Sequence, residues 1–204
     1  MEQAAENKER LTFTDQMRVR FKGLLDPIGT FLNRLGLTPN TMTMLGLAGN
    51  TLGAIFLSRG QMTLGGLLIL AMGPIDALDG TMARLRGESG VFGAFVDSVT
   101  DRYSELIIFG GLLVFYLNQG EQLASILVYA AAFGSVLVSY VRARAQSLGY
   151  DTKVGVLTRM ERYLVLAPSL VINMPMLGLW IIALLANFTA LQRIYDVRRQ
   201  THSK

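Results

Sequence analysis

Apolar residues fall in long blocks separated by short polar links. The blocks run from about Pro39 to Ser58, Met62 to Arg84, Gly90 to Tyr116, Leu123 to Val141, Arg159 to Asn173, and from Pro175 to near Tyr195. Each is close to the ~20 residues a helix needs to cross a bilayer, the fifth being short. Ahead of them, Met17, Phe21, Leu24, Ile28, Phe31 and Leu35 recur in steps of three and four, with Arg18, Arg20, Lys22 and Arg34 between. That pattern predicts an amphipathic helix with a basic polar face, lying in the membrane interface. Pro27 is expected to kink it or split it. Gly36 can end it, and Thr38 can cap the next helix with Pro39 in its first position. The predicted fold is all-α: a polytopic membrane protein of six transmembrane helices preceded by an N-terminal interfacial helix. The predicted divisions are a flexible segment 1–13, the interfacial helix 14–36, a six-helix domain 38–196 and a polar tail 197–204.

Composition agrees. Of 204 residues, 51% are hydrophobic, and the mean hydropathy is positive. There is no cysteine, which excludes disulfides and thiolate chemistry. The single histidine, His202, lies in the polar tail and is assigned no role. The net charge of +4 comes from basic residues beside apolar blocks. Nucleic acid is therefore not an expected partner. Six spans put both termini on one side. That side would hold Arg84, Arg86, Arg142, Arg144, Lys153, Arg159 and Arg162, whereas the opposite links offer little beyond Arg59. By the positive-inside rule the first side is cytoplasmic. The polar N-terminus lacks an apolar signal region, so no cleaved signal peptide is expected.

The acids change the picture most. Asp76 and Asp79 are three apart, and Asp97 and Asp101 four apart, so each pair shares a helix face. Apolar blocks flank both pairs, which places four carboxylates at or inside the membrane edge, where acids mark function by default. The short link Leu85 to Ser89 predicts that the second and third spans are antiparallel neighbours with their acids facing. Such carboxylates would repel unless cations stood between them. Oxygen-only ligands suit hard divalent ions, and a pair of such ions is a device for phosphoryl transfer. Helix capping would need neither four acids nor the residues between them. A second arrangement, Gly49-x-x-x-Gly53, permits close helix approach.

The run D-x-x-D-G-x-x-A-R, eight residues, then G-x-x-x-D-x-x-x-D is complete in Asp76, Asp79, Gly80, Ala83, Arg84, Gly93, Asp97 and Asp101. It resembles the motif of the CDP-alcohol phosphotransferases, small polytopic membrane enzymes. The resemblance implies that Asp76, Asp79, Asp97 and Asp101 hold two Mg²⁺ ions (Mn²⁺ being the alternative) and that Asp101 is the general base. It implies CDP-lipid contacts at Asn40, Thr43, Gly80, Ala83, Arg84 and Gly93. The donor would be CDP-diacylglycerol or a related CDP-lipid, the products would include CMP, and the assembly would be a homodimer.

A second cluster concerns the acceptor. Ser139-Tyr-Val-Arg142-Ala-Arg144-Ala and Thr158-Arg159-Met-Glu161-Arg162 resemble the phosphatidylinositol phosphate synthase branch. The resemblance makes Ser139, Arg142, Arg144, Arg159 and Arg162 candidates for the phosphate of inositol 1-phosphate, a soluble phosphorylated alcohol. Converging cations are what a phosphate-bearing acceptor requires. Arg142 and Arg144, two apart, cannot share a face of an ideal helix. Glycerol 3-phosphate is the alternative acceptor, since the arginines serve either. From another class, a carboxylate-lined cation transporter would also carry intramembrane acids, but it would not need Gly80, Ala83 and Arg84.

Overall fold

The computed structural model describes residues 13–87 and 90–202, with side chains from residue 23 onward. Within them the chain forms seven helices and no strand: α1 (Phe13–Arg34), α2 (Pro39–Ser58), α3 (Met62–Arg86), α4 (Val91–Asn118), α5 (Gln122–Ser147), α6 (Arg159–Val171) and α7 (Pro175–His202). The expected flexible segment falls on residues outside the described ones up to residue 12, as do Ser89 of the α3–α4 link and Lys204 of the tail.

Helix boundaries follow local chemistry. Thr38 is extended and accepts from the Thr41 amide at 3.2 Å, with Pro39 in the first turn. Gly36 takes φ +81°, the left-handed turn that ends α1. Pro27 does not split α1, which runs through it. α2, α3, α5 and α7 are long and apolar enough to cross a membrane. α4 has the length, at 28 residues, but carries Asp97, Asp101, Arg102 and Glu105 between its second turn and its middle. α6 has only 13 residues.

The helices pack as a closed ring in the order α2, α3, α6, α7, α5, α4 and back to α2, with α1 laid outside on α3. This corrects one expectation: α3 and α4, joined by a short link, are not packed along their lengths, and α2 packs against both. The ring encloses one apolar core, including Leu57, Ile69, Phe109, Leu112, Leu170 and Ile182. A smaller core of Met42, Leu78 and Met82 lies under Leu25 and Leu32 of α1. Of the stripe read from the sequence, Leu24, Ile28, Phe31 and Leu35 are exposed, and the side chains of Met17 and Phe21 lie outside the described ones. The helix thus grips the protein through Leu25, Gly29 and Leu32 and turns its other apolar face outward.

Close approaches set the ring. A Cβ on Gly53 would stand 2.8 Å from Ile69 Cγ1, and one on Gly65 would stand 2.8 Å from the Gly53 carbonyl oxygen. Both glycines of the Gly49-x-x-x-Gly53 pair thus face α3, Gly53 at a backbone crossing and Gly49 against the side chain of Met72. On the other side of α3, a Cβ on Gly66 would lie 2.7 Å from Leu170 Cβ in α6. Thr63 Oγ1 donates to the Val171 carbonyl at 3.1 Å, fastening the end of α6 to the start of α3.

Candidate active site

Pro74 lies inside α3, two residues before Asp76, and has no N–H to give the Leu70 carbonyl. Tyr163 of α6 fills the gap. Its hydroxyl stands 2.7 Å from the Leu70 carbonyl, 3.1 Å from the Ile69 carbonyl and accepts from the Gly73 amide at 3.1 Å. A side chain spliced into a helix ladder in this way sets the direction of the next turns. Those turns carry Asp76 and Asp79, the first half of the acidic motif.

One carboxylate oxygen each of Asp76, Asp97 and Asp101 lie within 4.8 Å of one another. Asp76 comes from α3, the other two from α4, so the gap between those helices is where they meet. Three hard oxygen donors at this spacing fit a divalent cation. Asp79 stands beside this group and is buried. Its Oδ2 accepts from Thr43 Oγ1 at 2.7 Å and its Oδ1 from the Gly80 amide at 2.5 Å. Of the four predicted acids, three thus converge and the fourth is held against α2.

Arg159, at the start of α6, reaches into the acidic group. Its Nη2 lies 2.7 Å from Asp76 Oδ2 and 2.5 Å from Asp101 Oδ1. Arg102 lies 3.8 Å from Asp101 Oδ2 and also donates to the Ser98 carbonyl.

Two of the predicted donor contacts, Gly80 and Gly93, have room beside them. A Cβ on Gly93 would meet nothing within 4 Å, and one on Gly80 only Arg84 Nη1 at 3.6 Å. Packing therefore does not require glycine at either place. Arg84 donates to Thr81 Oγ1 at 2.8 Å, Ala83 is half-buried and Asn40 is exposed in the first turn of α2. Thr43 is buried, with its hydroxyl engaged by Asp79.

Of the predicted acceptor residues, Arg162 is fully buried and forms a fork with Glu105 of α4: Nε to Oε1 at 2.6 Å, Nη2 to Oε2 at 2.9 Å. Its Nη1 is buried without a hydrogen-bond partner, as is Nε of Arg142. Ser139 is half-buried one turn before Arg142 on α5. Arg144 is exposed and donates to Ser147 Oγ at 3.3 Å, so the structure does not bring it to the others. Glu161 accepts from the Thr158 hydroxyl beside it.

Three participants were missed in the sequence. Glu105 extends the Asp97, Asp101 spacing by one more turn, a signal available but unread. Tyr163 comes directly after Arg162. Arg193 sits alone in the last apolar block; it is buried, donates to the carbonyls of Val154 at 3.0 Å and Val138 at 2.7 Å, and lies within electrostatic reach of Arg142 and Arg162.

Comparison with known proteins agrees with this geometry. The sequence model described as CDP-alcohol phosphatidyltransferase matches residues 36–191. A phosphatidylinositol phosphate synthase from Streptomyces avermitilis is 35% identical over 90% of this chain and 82% of its own. An archaetidylinositol phosphate synthase from Pyrococcus horikoshii is 33% identical over 91% and 96%. Crystal structures of the Mycobacterium tuberculosis phosphatidylinositol phosphate synthase superpose with TM-score 0.79 at 29% identity. The form with CDP-DAG bound covers 85% of this chain and 92% of its own, and the form with manganese and citrate 85% and 88%. A complete acidic motif, folded so that three of its acids converge, and a family match over most of the length lead to one statement: this chain belongs to the CDP-alcohol phosphatidyltransferase family.

Proposed function

We propose that the protein moves a phosphatidyl group from a CDP-linked lipid to inositol 1-phosphate, releasing CMP. The observation that carries this reading is the juxtaposition of two opposite sites. Asp76, Asp97 and Asp101 converge on one side; one turn along α4 from Asp101, Glu105 holds Arg162, whose buried Nη1 lacks a partner, and Nε of Arg142 on α5 is likewise buried and unpaired. Buried N–H groups left unpaired are costly, and a phosphate ester would satisfy them with charge-assisted bonds. The names of the Streptomyces and Pyrococcus relatives favour an inositol phosphate over glycerol 3-phosphate.

The acidic residues have the donor set for two Mg²⁺ ions, with Mn²⁺ as a substitute. Bound among Asp76, Asp79, Asp97 and Asp101, the ions would supply positive charge for the donor pyrophosphate and the departing CMP. Gly80, Ala83 and Gly93 leave space for the nucleotide, Asn40 lines its approach, Thr43 serves the nucleotide site through its bond to Asp79, and Arg84 offers a cation. Asp101 takes the proton of the acceptor hydroxyl. The acceptor oxygen then bonds to the β-phosphorus, and the bond from that phosphorus to the bridging oxygen breaks, so that CMP leaves with the electron pair. Ser139, Arg142, Arg159 and Arg162 hold the acceptor phosphate. The protein works as a homodimer, with six spans in the bilayer, α1 in the interface, and the site and both termini cytoplasmic.

The test is CMP release by purified protein in detergent with CDP-diacylglycerol and Mg²⁺, comparing inositol 1-phosphate, glycerol 3-phosphate, serine and free inositol. Stimulation by inositol 1-phosphate alone is expected. Stimulation by glycerol 3-phosphate instead would overturn the acceptor and leave the aspartates in their roles.

A further inference from the structure

α4 and α6 are joined by a two-rung ladder of ion pairs. Asp101 meets Arg159, and one turn further Glu105 meets Arg162. The first rung belongs to the reacting acids. The second contains a carboxylate with no place in the transfer chemistry. Arg162 is only 2% exposed. Glu105 takes its Nε and Nη2 by the planar fork at 2.6 and 2.9 Å, which fixes the guanidinium in plane and rotation. The group left over, Nη1, is buried and unpaired.

We propose that Glu105 is a positioning residue for the acceptor: by holding two nitrogens of Arg162, it aims the third at the acceptor phosphate. The inference rests on the reading of Arg162 as an acceptor ligand. A buried arginine free to rotate would turn its unpaired nitrogen toward the nearby carboxylates instead. Because Glu105 lies one turn from Asp101 on the same helix, the aimed nitrogen and the general base keep a fixed separation. Glu105 thereby also favours acceptors whose phosphate and reacting hydroxyl match that separation.

The test uses the full-length protein in detergent with CDP-diacylglycerol, inositol 1-phosphate and Mg²⁺. Glu105→Asp keeps the charge but withdraws the fork by one methylene, and Glu105→Gln keeps the length but loses the bidentate acceptor. Both should raise the KM for inositol 1-phosphate by about tenfold or more, leaving the KM for CDP-diacylglycerol within about twofold. In an Arg162→Lys background, Glu105→Asp should add little further. If Arg162→Lys itself leaves the acceptor KM unchanged, the acceptor reading of Arg162 fails. If Arg162→Lys raises it while both Glu105 variants leave it alone, only the positioning role fails. Parallel loss of affinity for both substrates, or loss of CDP-diacylglycerol binding altogether, would make the pair a strut of the fold and overturn the proposal.

Discussion

The hydroxyl of Thr43 in α2 donates to Oδ2 of Asp79 in α3 at 2.7 Å, both residues being buried. A carboxylate so placed cannot swing freely, and a hydroxyl so engaged is not free for the nucleotide. Thr43→Val should therefore act through Asp79. It leaves a buried carboxylate oxygen short of one donor, a loss of roughly 1–3 kcal/mol. Thermal unfolding in detergent should show the loss for Thr43→Val and its recovery in Thr43→Ser.

Arg159 bridges Asp76 and Asp101 and so competes with any cation for those oxygens. Its side chain is 47% exposed, so each pair is worth about 1 kcal/mol or less after solvent screening. Removing both in Arg159→Gln should tighten Mn²⁺ binding to the substrate-free protein by roughly tenfold. Electron paramagnetic resonance of Mn²⁺ reads this without turnover, and weaker Mn²⁺ binding in the variant would contradict it.

Two glycines of α3 should respond in opposite ways to the same methyl group. In Gly66→Ala the Cβ would press on Leu170 at 2.7 Å, and overpacking of this kind costs about 1–3 kcal/mol. In Gly80→Ala it would meet only Arg84 Nη1 at 3.6 Å, and alanine favours the helix by up to ~1 kcal/mol. Gly66→Ala should lower the unfolding temperature. Gly80→Ala should hold or raise it while the KM for CDP-diacylglycerol rises by about tenfold.

Tyr163→Phe removes one oxygen that serves the Gly73 amide and the Leu70 carbonyl. Pro74 has no N–H to offer the Leu70 carbonyl, so no helical partner replaces the hydroxyl there. The expected loss is roughly 1–3 kcal/mol. Asp76 comes just after the splice, so Mn²⁺ affinity should fall as well, which a titration would measure.

The acidic motif was legible because its residues are close in sequence and the period of a helix says which of them share a face. The start of α2 at Pro39 was equally plain from Thr38 and Pro39, and its end at Ser58 from where the apolar block stops. α5 runs past the apolar block that marks it. Apolarity stops near Val141, but the helix continues to Ser147, since Arg, Ala and Gln propagate helices well and Gly149 is the first residue to break one. The neighbours of each helix were not legible. The short link suggested that α3 packs on α4, yet the helices flank α2, leaving the gap in which the acids meet. Glu105 with Arg162, and Tyr163 with Gly73, join residues 57 and 90 positions apart. Periodicity names the face a residue occupies and is silent on which helix faces it. For the same reason the choice between Arg142 and Arg144 waited for the structure.

Thirteen residues make α6 about 20 Å long, some 10 Å less than the hydrocarbon thickness of a bilayer. Its far end is tied to the first turns of α3 through Thr63 and Gly66, so in a bilayer whose far face lies at those turns the shortfall would fall at the Arg159 end. In the membrane proposed for it, the reaction floor would then be sunken, a well whose bottom lies below the plane of the surrounding headgroups. The two substrates reach such a floor unequally. The lipid donor would stay in its leaflet and drift in sideways at its own depth. The water-soluble acceptor proposed above would make the descent, and the arginines would draw it down.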